Sequence, residues 1–160
     1  MNFQELLEKT NADRQITPPQ VLLAIDPGET TGYAVFTEGK YVADGEITIK
    51  LDNLKQIWNL IHKLKPDVVV CEDYIVYGSK VKMHAWNRLV TPQIIGVIRY
   101  TCEAKQVPLY MQMASTAKGF CNDNKLKEWS LWSKGNIHAK DAIKHACYFL
   151  LFGKREISNN

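Results

Sequence analysis

Apolar residues along this chain follow two different periods. Continuous runs at residues 21–25 (Val-Leu-Leu-Ala-Ile) and 68–71 (Val-Val-Val-Cys) have the length and β-branched content of strands buried on both faces. The first predicts a strand over Val21–Asp26, the second a strand over Asp67–Glu72. Gly32–Thr37 predicts a further strand. Alternation at Val42, Ile47 and Ile49 predicts another over Tyr41–Ile49, with Glu38-Gly39-Lys40 as the tight turn between them. The first three strands therefore read as an antiparallel meander. Helical spacing appears at Leu54, Ile57, Trp58, Ile61 and Leu64, with Asp52 placed to cap the helix and Lys65-Pro66 to end it. After an irregular stretch from Asp73 to Val90, Thr91-Pro92 reads as the cap and first turn of a helix reaching about Lys105. Val107–Met111 is a short strand, Ser115–Trp129 is helical in pieces, and Ser130–Asn136 is a loop. A last helix runs from about His138 to Leu151. The order β-β-β-α-β-α-β-α predicts an α/β fold: a mixed five-stranded sheet with helices on both faces. Phe3, Leu6 and Leu7 mark a short helix that Thr17-Pro18-Pro19 cuts off from the rest. Residues 1–19 thus read as an N-terminal appendage, 20–152 as one domain and 153–160 as a tail.

Composition narrows the class. With 46% hydrophobic and 23% charged residues in 160, the expectation is an ordinary soluble globular domain with a sizeable core. No apolar stretch approaches a membrane span. The N-terminus lacks the basic-then-apolar order of a signal peptide. Cys71, Cys102, Cys121 and Cys147 show no CxxC spacing, so reduced, mostly buried thiols in a cytoplasmic protein are expected. The net charge of +3 hides an asymmetry. Residues 1–79 carry 7 Lys/Arg against 12 Asp/Glu, whereas residues 80–155 carry 13 against 4. A basic half facing an acidic site suits a polyanionic partner.

Three acids stand at places where a fold of this order can bring them together. Asp26 ends the first apolar run, Glu72 ends the second, and Asp141 opens the amphipathic segment 141–150. Convergent carboxylates repel unless a cation neutralises them. Asp26-Pro27-Gly28-Glu29-Thr30-Thr31-Gly32 turns a strand end back into a second strand, and its glycines permit close backbone approach. The plain alternative is a turn with a capping aspartate. In His138-Ala-Lys-Asp141-Ala-Ile-Lys-His145, the three named residues share one helix face. Asp141 lies in the first turn, where the helix dipole favours negative charge. His145 reads as structural or phosphate-facing rather than as a ligand.

These motifs resemble those of the RuvC-type Holliday-junction resolvases, members of the ribonuclease-H-like superfamily. The DPG…TG turn at residues 26–32, the acid at Glu72 (or the adjacent Asp73) and the histidine three residues before Asp141 carry the likeness. The segment from Ala114 to Lys127 looks like the one preceding the last helix in phage-encoded members. The likeness covers roughly residues 20–152. At the position where the family places a stacking aromatic this chain has Ile75, so Tyr74 and Tyr77 are candidates for base stacking or for packing. The DPG turn is also loosely similar to that of the actin and sugar-kinase superfamily, whose members need a second domain that 160 residues are not expected to supply.

The resemblance implies a ribonuclease-H-like fold and a magnesium-dependent endodeoxyribonuclease of the crossover-junction type. It would resolve four-way DNA junctions and related branched DNA by paired nicking, leaving 5′-phosphates. It implies that Asp26, Glu72 and Asp141, with His138, are catalytic and bind two Mg²⁺ ions, for which Mn²⁺ can substitute. It implies DNA contacts from Tyr74, Tyr77, Lys80, Lys82, Arg88, Lys118, Lys125, Lys127 and Lys134. It also implies a homodimer, for which the apolar helix Ile94–Cys102 is either the interface or simply monomer core. A flap, fork or structured-RNA nuclease on the same fold, and a junction-binding protein with little catalysis, are the competing expectations.

Overall fold

The computed structural model describes residues 1–75, 89–134 and 136–154. Five strands form one sheet: β1 (Val21–Asp26), β2 (Thr30–Thr37), β3 (Lys40–Thr48), β4 (Val68–Asp73) and β5 (Leu109–Met113), in the order β3-β2-β1-β4-β5. β1, β2 and β3 pair antiparallel, and β4 joins β1 and then β5 in parallel. The predicted mixed sheet and meander are both present. The β2–β3 turn places Glu38 and Gly39 at φ 51° and 79°. That pair of left-handed residues suits the twist of a two-residue hairpin.

Six described helices cover the sheet: α1 (Phe3–Arg14), α2 (Lys55–Leu64), α3 (Val90–Ala104), α4 (Ala114–Phe120), α5 (Asp123–Glu128) and α6 (Ile137–Phe152). The alternation of strand side chains sorts them into two layers. Leu22, Ala24, Ala34, Phe36 and Val70 pack beneath α6, with α1 and α5 beside it. Leu23, Ile25, Val35, Val69 and Cys71 pack against α2 and α3. The same parity decides where the acids point. Asp26 continues the series Leu22, Ala24, and Glu72 continues Val68, Val70, so both carboxylates emerge on the α6 side at the end of the sheet.

Small residues set how near α6 lies. Ala24 and Ala34 meet Ala142 and Ala146 in the same cluster. A Cβ at Gly32 would overlap the backbone of His138. Gly32 is therefore the residue that lets β2 touch the first turn of α6.

Several local expectations are corrected. Asp52 does not cap α2. Leu54 holds the cap position without a side-chain bond, and the helix begins at Lys55. Thr91 and Pro92 lie inside the first turn of α3, whose cap position is Leu89. β5 sits two residues later than the pattern predicts. On α3, Ile94, Ile95, Ile98 and Cys102 are buried in the chain's own core, which decides between interface and monomer core for that face. The N-terminal segment is docked rather than appended. Phe3 and Leu7 are 4% and 1% exposed within the α6-side core. Arg14 donates from both terminal nitrogens to the carbonyls of Leu151 and Gly153 at 2.7 Å. All four cysteines are buried free thiols. No described helix is long and apolar enough to cross a membrane.

Candidate active site

The ends of β1 and β4 and the first turns of α6 bring the three acids to one place, in two linked groups. In the first, Asp26 is 6% exposed and its Oδ2 lies 2.9 Å from Nδ1 of His138. The His138 backbone N–H donates to Glu46 on β3 at 3.0 Å, which ties the start of α6 to the meander. In the second, the ammonium of Lys118 stands between two carboxylates, 2.8 Å from Glu72 Oε2 and 2.8 Å from Asp141 Oδ2. The other oxygen of Asp141 is 3.0 Å from Nζ of Lys144, which also meets Asp123 at 2.8 Å.

Glu72 is held from a third side. His145 is wholly buried, with Nε2 2.8 Å from Glu72 Oε2 and Nδ1 2.9 Å from Gln112 Oε1. Gln112 is the register partner of Glu72 across the β4–β5 pair. Both side chains thus rise from neighbouring strands to the same imidazole.

The electrostatics push the two sheet acids apart. Burial, then the charge of Glu72, raises the Asp26 pKa from 3.8 to about 6. The hydrogen bond from His138 and the charge of Lys118 oppose that rise, and Asp141 adds to it. Burial alone would raise Glu72 as well. Hydrogen bonds from His145 and Lys118, with the charge of Lys118, override it and bring the Glu72 pKa down to about 2. For Lys118 itself, burial favours the neutral amine, but bonds to Asp141 and Glu72 win and raise its pKa. An acid that stays protonated longer beside one that ionises early is an arrangement suited to acid–base chemistry.

Of the expected site residues, Asp26, Glu72, His138 and Asp141 are brought together. Lys118, expected to contact DNA phosphates, lies between Glu72 and Asp141. Tyr74 is half-buried, packs on the α2–α3 side, and lines an open groove of about 1160 Å³ with Gly28, Thr30, Lys50, Thr91 and His138. Lys125 lies 3.5 Å from the centre of the Phe120 ring. Lys127 and Lys140 lie 4.6 and 4.1 Å from that of Trp132, and Lys134 is exposed. Tyr77, Lys80, Lys82 and Arg88 fall outside the described residues.

Sequence reasoning passed over Gln112, Lys144, Trp132 and Lys140. Lys144 had a signal, standing three residues after Asp141 on the same helix. Gln112 offered only the anomaly of a polar residue inside the short apolar strand Leu-Tyr-Met-Gln-Met.

The donor set is one that suits a hard divalent cation: carboxylate oxygens with one imidazole. The 2.8 Å approaches to Lys118 show that Glu72 and Asp141 already reach a common point with an oxygen each. Among the described residues no three His, Cys, Asp or Glu side chains form a ready-made cage. The Lys118 ammonium lies between two of the acids, Glu72 and Asp141.

No family model matches this chain, and no curated protein matches it. Solved structures do. It is similar to RuvC of Thermus thermophilus at 17% identity, covering 82% of this chain and 94% of that one with a TM-score of 0.62. It is similar to the yeast mitochondrial Holliday junction resolvase Ydc2 at 15% identity, covering 92% and 84%, TM-score 0.60. It is also similar to the fowlpox virus resolvase, solved with Holliday junction DNA, at 13% identity, covering 81% and 97%, TM-score 0.57. The chain therefore has the RuvC-type, ribonuclease-H-like fold.

Proposed function

We propose that this protein is a metal-dependent, structure-selective endodeoxyribonuclease that resolves four-way DNA junctions. The observation that carries the reading is the meeting of Asp26, Glu72 and Asp141, with His138, at the sheet end of a resolvase fold. Three acids from two strands and a helix are not needed to hold the sheet together. Their mutual repulsion calls for positive charge, which Lys118 supplies to Glu72 and Asp141 and which bound cations would supply to all three.

Asp26, Glu72, Asp141 and His138 would hold two divalent cations, Mg²⁺ or Mn²⁺. Bound there, such ions supply an activated water and charge for the departing 3′-oxygen. The chain's own groups do the rest. Asp26 orients the His138 imidazole through Nδ1, leaving Nε2 as the nitrogen that would meet a cation. Lys144 fixes the carboxylate of Asp141. Lys118 carries its positive charge to the scissile phosphate, where it counters charge as it develops. Lys125, Lys127, Lys134 and Lys140, with Trp132 between two of them, offer phosphate contacts beside the start of α6. The groove running from His138 past Gly28 to Thr91 gives the backbone of one arm a path to the acids. Two such sites, supplied by a homodimer, match the two-fold symmetry of a junction, and the products carry 5′-phosphates.

Cleavage of a labelled four-way junction in Mg²⁺, with Asp141→Asn beside wild type and linear duplex and flap controls, tests this. Paired symmetric nicks that vanish in the variant are expected, with junction binding retained. Cleavage of flaps or forks alone would move the activity to another branched substrate on the same site. An unchanged rate in Asp141→Asn would overturn the assignment of the acids.

A further inference from the structure

His145 is a polar ring set into an otherwise apolar face of its helix. It sits on the buried face of α6 among Ala142, Ile143, Ala146 and Phe149 and is 0% exposed. A polar ring placed there costs free energy unless both nitrogens are bonded. Both are, and one of them is bonded to Glu72. The Glu72 carboxylate can only accept, so the proton must sit on Nε2 of His145. Gln112 serves Nδ1 with whichever end of its amide faces the ring, because the oxygen accepts from N–H and the NH₂ group donates to a bare nitrogen. The imidazole therefore presents a donor to Glu72 whether it is neutral or charged.

We propose that His145, steered by Gln112, is a positioning residue for Glu72. It clamps Oε2, the same oxygen that meets Lys118 at the place shared with Asp141, and so fixes the direction in which the carboxylate points. This rests on the metal-dependent reading above and adds a residue to it. Three features support the assignment. Gln112 and Glu72 are register partners, so a single ring spans two adjacent strands. His145 stands four residues after Asp141, so one helix face carries both the acid and the group that orients its counterpart. Both contacts are short, at 2.8 and 2.9 Å, and the ring that makes them is wholly buried. Groups that orient metal-binding side chains typically change metal affinity or activity by about 10–100-fold when removed.

The test measures Mn²⁺ binding to the full chain without DNA, by the electron paramagnetic resonance of free Mn²⁺. Wild type is compared with Asp26→Asn, His145→Leu, His145→Gln and Gln112→Met, and junction cleavage is run in parallel. His145→Leu fills the core but lacks the donor, and should weaken Mn²⁺ binding by about 10–100-fold. It should lower kcat and leave KM for the junction unchanged. His145→Gln places an amide N–H near the former Nε2 and should recover most of both. Equal impairment in the Leu and Gln variants would make His145 a packing residue and overturn the proposal. Should His145→Leu fail to fold, Gln112→Met decides, because it leaves His145 present but unsteered. Weakened Mn²⁺ binding upholds the clamp, and wild-type binding overturns it. If wild type binds no Mn²⁺, or Asp26→Asn binds it equally well, the metal-dependent reading falls and this inference with it. If Asp26→Asn loses the ion while His145→Leu keeps it, only the positioning role falls.

Discussion

At neutral pH Asp26 is ionised in a place that resists ionisation. Burial and the charge of Glu72 carry its pKa from 3.8 to about 6, and its side chain is 8% exposed. That rise corresponds to roughly 3 kcal/mol held against folding once the pH exceeds 6. Asn keeps the shape, and its carbonyl still accepts from Nδ1–H of His138. Asp26→Asn should therefore abolish cleavage and raise stability. The folded-state pKa is the higher one, so the wild type is best off below pH 3.8 and loses that stability as pH climbs through 6. The Asn variant has nothing to lose over that window. Its advantage should be roughly 1 kcal/mol at pH 4.5 and roughly 3 kcal/mol at pH 7.5. For a chain of this size that larger figure is a rise in Tm of about 6–12 °C. Urea and thermal unfolding in EDTA at the two pH values measure it. Added Mg²⁺ should narrow the gap, because only the wild type gains from binding the ion. A variant no more stable than wild type at pH 7.5, or an advantage flat with pH, would refute the argument that Asp26 is strained by its neighbours.

Glu72→Gln should act in the opposite direction. With the folded pKa lowered to about 2, ionised Glu72 stabilises above pH 4.5, and the variant should lose up to roughly 3 kcal/mol at pH 7.5, read from the same melts. Lys118→Ala leaves Glu72 and Asp141 facing each other without their shared ammonium. It should lower Tm in EDTA, regain much of it in Mn²⁺, and slow cleavage; a loss that Mn²⁺ does not restore would place Lys118 outside the cation's region. Gly32→Ala forces a Cβ into the His138 backbone and should depress activity through displacement of the start of α6, seen as altered His138 imidazole resonances in NMR. Phe3→Ala should cost about 3–5 kcal/mol, since Phe3 packs against Phe36 and Trp129; a loss under 1 kcal/mol would show that α1 is a detachable arm.

The sheet was legible because its signals are local. Apolar runs of five and four residues, each followed by an acid, fix both strand and side-chain parity, and parity sends Asp26 and Glu72 to one face. Asp141 was legible for the same kind of reason, standing at the start of an amphipathic period. The place of Lys118 beside Glu72 and Asp141 was not legible, because it depends on α4 following directly on β5, and nothing in Ser-Thr-Ala-Lys-Gly encodes that. Gln112 and His145 become meaningful only when β4 and β5 are seen side by side beneath α6. Phe3 and Leu7 offered too short an apolar face to predict docking, which is completed by Arg14 reaching carbonyls some 140 residues away. Asp52 failed as a cap because two further turn residues precede the helix.

Helix α6 follows every described strand, yet β1, β2 and β4 all rest against it. While the protein is being made, the sheet face bearing Leu22, Ala24, Phe36 and Val70 has only α1 and α5 to cover it until α6 has left the ribosome. His138 and Asp141 arrive on that same helix. A polypeptide stopped short of it is sticky and incomplete at once, an aggregation hazard with only part of its acid cluster. Covering the hydrophobic face and completing the acid cluster are thus a single event.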